Sequence, residues 1–203
     1  MTLSAQDRER ISVAIRAAET RTSGEIVCVL ARTSSDGTAL PLFIAAVVAL
    51  ALPWGLVAFT AMPVRTILLL QVAVFLVLAM LLCLPSVRVT LMPRAARRAA
   101  AHRAAMDQFV VRGIARKKDR TGILIFVSLA ERYARIIADE GIAGRVPQAE
   151  WQGAVDALIS HMRDDRIAEG FATAIGRCGN VLALHFPPAQ TSRDELPDRI
   201  YVI

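Results

Sequence analysis

Cysteine, histidine and aromatic side chains are scarce in this chain, and charge is missing from its middle. Three cysteines, three histidines, two tryptophans and two tyrosines occur in 203 residues. Cys28, Cys83 and Cys178 show no CxxC or other metal-ligand spacing, which excludes a zinc ribbon and fits three free thiols in a reducing cytoplasm. His102, His161 and His185 are isolated, with neither HExxH spacing nor a Ser-His-Asp order, so the sequence points to no zinc protease and no serine hydrolase. There is no glycine-rich phosphate loop. The single glycines of Thr22-Ser23-Gly24 and Arg120-Thr121-Gly122 read as helix stops and turns.

The absence of charge is the most informative of these. Mean hydropathy is +0.46 and 55% of the residues are hydrophobic, although 21% are charged, so the apolar residues are concentrated. No charged residue lies between Asp36 and Arg65, or between Arg65 and Arg88, leaving uncharged runs of 28 and 22 residues. About 20 residues rising ~1.5 Å each cross a ~30 Å hydrocarbon core, so each run predicts one membrane span, at about 39–62 and 66–87. Met62-Pro63-Val64-Arg65 is short enough to make them an antiparallel hairpin, and Pro53 predicts a bend in the first. Only Trp54 and Gln71 stand out inside the spans, and without an intramembrane charge there is no ion pathway to argue for. The chain opens on a polar, helix-like segment instead of a basic and then apolar leader, so no cleavable signal is expected.

Basic residues set the expected orientation. Ten Lys and Arg lie from Arg88 to Arg120 against Asp107 and Asp119, whereas the hairpin turn holds Arg65 alone. The positive-inside rule then predicts an inner (cytoplasmic) membrane protein of bacterial type, with two spans and both termini in the cytoplasm. The net charge of +6 and pI near 10.0 arise largely from this flank. Arg94, Arg97 and Arg98, in the first turns of a helix leaving the second span, are expected to bind anionic lipid head groups. No zinc, helix-turn-helix or RNA-binding signature accompanies the charge, so nucleic acid is not an expected partner.

Outside the hairpin the chain reads as one α/β unit: a small mixed sheet flanked by helices. Residues 1–38 supply a helix over 4–21, with Ser4 and Asp7 as its capping box, and a buried strand over 25–31. Residues 88–186 supply a helix from Pro93 to about Arg112, a strand over 123–127, an antiparallel strand over 133–139, and helices over 148–163 and 167–185. In the tail, 187–203, the apolar run Ile200–Ile203 adds to the sheet or docks on the core. A helix joining strands 25–31 and 123–127 makes them parallel. The hairpin then leaves the carboxyl end of the first strand, the edge at which open α/β sheets bind ligands, so that edge is expected to face the membrane.

Strand direction gathers two polar groups. Ser34, Ser35 and Asp36 meet Ser128, Glu131 and Arg132 at the carboxyl edge, while Glu25 meets Asp139 and Glu140 at the other. Asp36 with Glu131, or alternatively Glu25 with Asp139 and Glu140, offers oxygen ligands to a hard cation such as calcium or magnesium, which could activate water on a phosphate ester. Solvated turn carboxylates are the ordinary alternative.

The segments TSGEIVCVLA, RTGILIFVSLAERYARIIADEGI and VPQAEWQGAVDALI and the ELPDR tail resemble the membrane-hairpin branch of the TPM-domain family. The resemblance implies a TPM-like α/β/α sandwich interrupted by the hairpin. It also implies a range of functions, from phosphatase or calcium binder to a factor assisting membrane protein complexes. Lacking a recognisable catalytic constellation, the chain reads first as an adaptor or assembly factor that binds another membrane protein. The alternative is a metal-assisted phosphatase at the membrane surface.

Overall fold

The structure is a computed structural model that describes residues 3–34, 38–84, 87, 91–116, 119–188 and 196–203. It divides into two compact units, Met1–Ser34 with Ala101–Ile203, and Ser35–Ala100.

The first unit is built on a four-stranded sheet in the order β3-β2-β1-β4, where β1 is Glu25–Ala31, β2 Gly122–Ser128, β3 Tyr133–Ala138 and β4 Ile200–Val202. β1 and β2 are parallel in the register Glu25↔Gly122 to Ala31↔Ser128, and β3 returns antiparallel to β2. The apolar tail joins the sheet as β4, parallel to β1 from Cys28↔Ile200 onward. All seven residues of both β1 and β2 are buried, because each lies between neighbouring strands and under helices on both faces.

The two-residue period of a strand divides the core in two. Ile26, Cys28, Leu30, Ile123, Ile125 and Val127 point to the helices α1 (Ala5–Glu19), α6 (Gln152–Arg163) and α7 (Ile167–His185). There they meet Ile11, Ile15, Leu158, Phe171, Ile175 and Leu182. Val27, Val29, Ala31, Leu124 and Phe126 point the other way, to Ala105 and Phe109 of α4 (Arg94–Val111) and to Ile114 in the 3-10 turn Ile114–Arg116.

Local signals place these helices. Ser4 and Asp7 close the capping box of α1: Ser4 Oγ accepts from the Asp7 N–H at 3.1 Å, and Asp7 Oδ2 from the Ser4 N–H at 3.0 Å. The expected helix over 148–163 opens as a 3-10 turn, Gln148–Trp151, that buries Trp151 before continuing as α6. A short helix, α5 (Glu140–Ala143), stands where the sequence suggests only a strand end. Gly122 does more than stop a helix. A Cβ there would overlap Ile114 Cγ2, so the missing side chain is the socket that lets Ile114 reach the sheet.

In the second unit, α2 (Ala39–Phe59) runs through Pro53 as one helix, and Pro63 opens α3 (Val64–Leu82). Each is long and apolar enough to cross a membrane. They pack on one another, and Pro41, Ala45 and Ala49 form the buried stripe of α2 at four-residue spacing. Of the most apolar 18 residues of each helix, only 11% in α2 and 6% in α3 are buried, so these are not core helices of this fold.

Candidate functional site

At the carboxyl end of the parallel strands, β2 closes on Ser128 and turns through 129–132, with Arg132 in the left-handed region at φ 50. The turn buries Glu131, which is 5% exposed. Thr33 Oγ1 donates to Glu131 Oε1 at 3.1 Å, and the Ser34 N–H to Oε2 at 3.0 Å. Ser128 Oγ also hydrogen-bonds Oε2, and Ser34 Oγ reaches Ser128 Oγ at 2.7 Å. Both oxygens of the carboxylate therefore hold down the segment that leaves β1, alongside the backbone bonds Leu129 N–H to Ala31 O and Ala130 N–H to Arg32 O. Its expected companions Ser35 and Asp36 lie outside the described residues, and Arg132 is exposed. The cluster is a hydrogen-bonded clasp; with its oxygens engaged, Glu131 has little left to offer a cation.

The opposite edge collects the second group. Glu25, Gly122 and Asp139 lie side by side across β1, β2 and the end of β3, and the Asp139 N–H bonds Gly122 O at 2.9 Å. The pleat directs all three to one face, where Ile114 fills the place over Gly122, between the two carboxylates. Asp139 is the N-cap of α5, its Oδ1 accepting from the Glu140 N–H at 2.7 Å. Arg120, also left-handed at φ 51, puts Nη1 3.6 Å from Asp139 Oδ1 and 3.4 Å from Glu140 Oε2. Asp139 is 3% exposed, and among the described residues none hydrogen-bonds its buried Oδ2. Arg120 already supplies the counter-charge that a divalent ion would bring, so this edge fits an ion pair better than a metal. Among the described residues no three His, Cys, Asp or Glu side chains converge as a metal needs.

Arg94 and Arg98 are exposed and Arg97 is half-buried in the first turns of α4. Burial pushes the Cys28 thiol well above its ordinary range and that of Cys178 up to about 12, so neither is a thiolate near neutral pH. His102 Nδ1 lies 3.4 Å from Tyr133 Oη, and His161 Nδ1 lies 2.8 Å from the Ala157 carbonyl oxygen of its own helix.

Sequence reasoning missed Thr33 at the clasp and Glu19, whose Oε1 accepts from the Ile26 N–H at 2.7 Å. One signal was available. Glu19 sits in the last turn of α1, where the helix dipole disfavours an acidic side chain, so something else must hold it there.

The arrangement of helices and mixed sheet agrees with the family comparison, in which the model described as the TPM domain matches residues 85–181. Residues 85–181 are similar to the TPM domain. The match starts after α3, so it takes in α4 to α6 and most of α7 with β2 and β3, while α1 and β1 precede the hairpin and belong to the same compact unit. Among solved structures, the BA42 protein of the psychrophilic bacterium Bizionia argentinensis is similar at 22% identity and TM-score 0.64, over 100% of this chain and 97% of that one. The likeness is one of fold. The N-terminal domain of a P. gingivalis protein is 16% identical over 93% of this chain and 82% of that one, with TM-score 0.49. No curated protein matches the chain.

Proposed function

We propose that the protein is a two-span inner-membrane protein whose TPM domain works in the cytoplasm as an adaptor or assembly factor for another membrane protein. The observation that carries this reading is how the polar groups at both sheet ends are employed. Glu131, Ser128, Thr33 and Ser34 are bonded to one another, and Asp139 and Glu140 share Arg120, so the ends stiffen the domain instead of opening a reaction site. A rigid domain tied to a hairpin of exposed apolar helices suits recognition by surface. Arg94, Arg97 and Arg98 would add contacts to anionic head groups, about 1 kcal/mol each at low salt.

Affinity capture of the full-length chain from mild detergent tests the reading. One membrane protein recovered in stoichiometric amount is the expected result, and recovery of the chain alone counts against it. Hydrolysis of a phosphomonoester by the pure protein with calcium or magnesium, lost in the Asp36→Ala, Glu131→Ala double variant, would replace it with the phosphatase alternative. Orientation has its own test, in single cysteines placed at positions 65 and 116 of a thiol-free chain. An impermeant reagent on intact cells should label position 65 alone, and labelling at 116 alone would reverse the topology.

A further inference from the structure

We propose that the strip of sheet beside α4, over β3, is a seat for one acidic amphipathic helix of a partner protein. This rests on the adaptor role proposed for the domain. The two faces of the sheet are covered unequally. α1, α6 and α7 lie on one, while the described residues place only α4 and the 3-10 turn Ile114–Arg116 on the other. Strands lie about 4.8 Å apart and packed helices about 8 to 10 Å apart, so one helix covers about two strands. Here those two are β1 and β2, whose Val27, Val29, Leu124 and Phe126 are at most 1% exposed. On β4, Arg112 and Arg199 stack on Tyr201 at 3.8 and 4.9 Å. β3 is left more open. Its Ile136, turned to the three-helix face, is 1% exposed, whereas on the α4 face Tyr133 and Ile137 are half-buried and Arg135 between them is exposed.

The flank of α4 beside this strip is apolar below its first turn. His102, Met106 and Val110 follow one another at four-residue spacing, and His102 Nδ1 lies 3.4 Å from Tyr133 Oη, which fixes that flank on the β3 side. Met106 is 42% exposed and Val110 57%, with Arg103 exposed in the neighbouring row. Charge selects the occupant. Arg10, Arg16, Arg120 and Arg166 each hold a carboxylate. Among the described residues none pairs with Arg103 or Arg135, nor with Arg132, exposed in the turn that leads into β3. Asp107, the acid of α4, is exposed two residues after the buried Ala105 and so points away from the sheet. An apolar strip edged by unpaired arginines suits a ligand that is apolar on one side and carries carboxylates along its margins.

The ligand is a helix, not an added strand. Gln148 Nε2 already donates to the Ile136 carbonyl oxygen at 3.4 Å, which obstructs the outer edge of β3, whereas the α4 face beside it is open. The strip from Tyr133 to Ile137 is about 13 Å long, which about nine residues of helix would cover.

Fluorescence anisotropy with the full-length chain in mild detergent reads the seat, with binding counted above that to empty micelles. The probe is a designed helical peptide with leucine at i, i+3, i+4 and i+7 and glutamate on its flanks. It should bind at least about tenfold more tightly than the same peptide with lysine for each glutamate, because lysine would face the arginines. Arg103→Glu with Arg135→Glu should invert that preference, whereas Met106→Gln with Val110→Gln should weaken the acidic peptide on the order of tenfold without inverting it. No preference in the wild type, or the same preference in the charge-reversed variant, overturns the proposal. Urea titration of Trp151 fluorescence checks that each variant is folded. If the charge-reversed variant is not, Arg103→Gln with Arg135→Gln decides: a lost preference supports the seat and a retained one rejects it.

Two other occupants would also overturn the proposal. A dimeric mass in detergent that becomes monomeric in Met106→Gln, Val110→Gln would put a second copy on the strip. A cysteine at position 106 of a thiol-free chain, labelled by an aqueous reagent in neutral nanodiscs but not in anionic ones, would put lipid head groups there. The adaptor role is judged apart from the seat. If affinity capture recovers a stoichiometric partner equally with the wild type and the charge-reversed variant, the adaptor role stands and the seat is rejected. If capture recovers no partner while the peptide preference holds and inverts, the adaptor role falls and the acidic-helix seat stands.

Discussion

α2 and α7 are both long, apolar helices, yet they hide opposite amounts of themselves. α7 buries Phe171, Ala174, Ile175, Cys178 and Leu182 under the sheet and keeps Arg177 and Asn180 on its other side. α2 buries only Pro41, Ala45 and Ala49, and leaves Trp54 81% exposed. An amphipathic helix is at home between a core and water. A helix apolar on every side has little to gain from water, and α2 and α3 are by length and composition fit to cross a membrane.

The strongest way to break the contrast is to cut into each helix class by its own rule. Phe171→Ala empties a fully buried ring site and should cost about 3 to 5 kcal/mol, seen in urea titration of Trp151 fluorescence with Trp54 changed to Phe. A loss below about 1 kcal/mol would mean that α7 is not the keel of the core.

Next in size is Leu69→Arg, at a position 63% exposed in α3. In lipid an arginine near a helix centre costs about 3 kcal/mol of insertion, whereas Val13→Arg on the exposed side of α1 should stay within about 0.5 kcal/mol. Membrane fractionation and yield compare the two, and equal tolerance would place α3 in water.

Glu131→Ala sharpens the comparison inside the domain. It leaves Thr33 Oγ1, the Ser34 N–H and Ser128 Oγ without their acceptor and should lower stability by about 2 to 3 kcal/mol in the same titration. The smallest expected effect is Ser4→Ala, which removes an exposed cap from α1 and should cost about 1 kcal/mol.

The fold was legible in the sequence wherever local pattern coincides with burial. The apolar runs of β1 and β2, the Tyr133 return strand and the span of α7 stand as the sequence suggests, because strands covered on both faces and a helix with one apolar side leave periodic traces. The site was legible only in part. Strand direction brought Ser34, Ser128 and Glu131 to one edge, but the sequence paired Glu131 with Asp36 as metal ligands, and the structure spends its oxygens on Thr33, Ser34 and Ser128. Whether a carboxylate at a strand end is solvated, bonded or shared is decided by which turn folds over it, and periodicity says nothing about that. The bond from the Ile26 N–H to Glu19 was hidden for the same reason, since it joins the end of the first helix to the first strand.

The interrupted sheet also sets a timetable for the growing chain. Roughly 90 residues, the hairpin among them, separate the end of β1 at Ala31 from the start of β2 at Gly122, and the β4 residues are made later still. At about 5 to 20 residues per second, β1 waits on the order of ten seconds after its own synthesis before either flank can be covered. The hairpin emerges during that wait, so it is made before the domain can close, and an apolar strand with two open sides needs shielding on the nascent polypeptide. A ribosome stalled between α3 and β2 would expose that strand to chaperones and proteases for as long as the stall lasts.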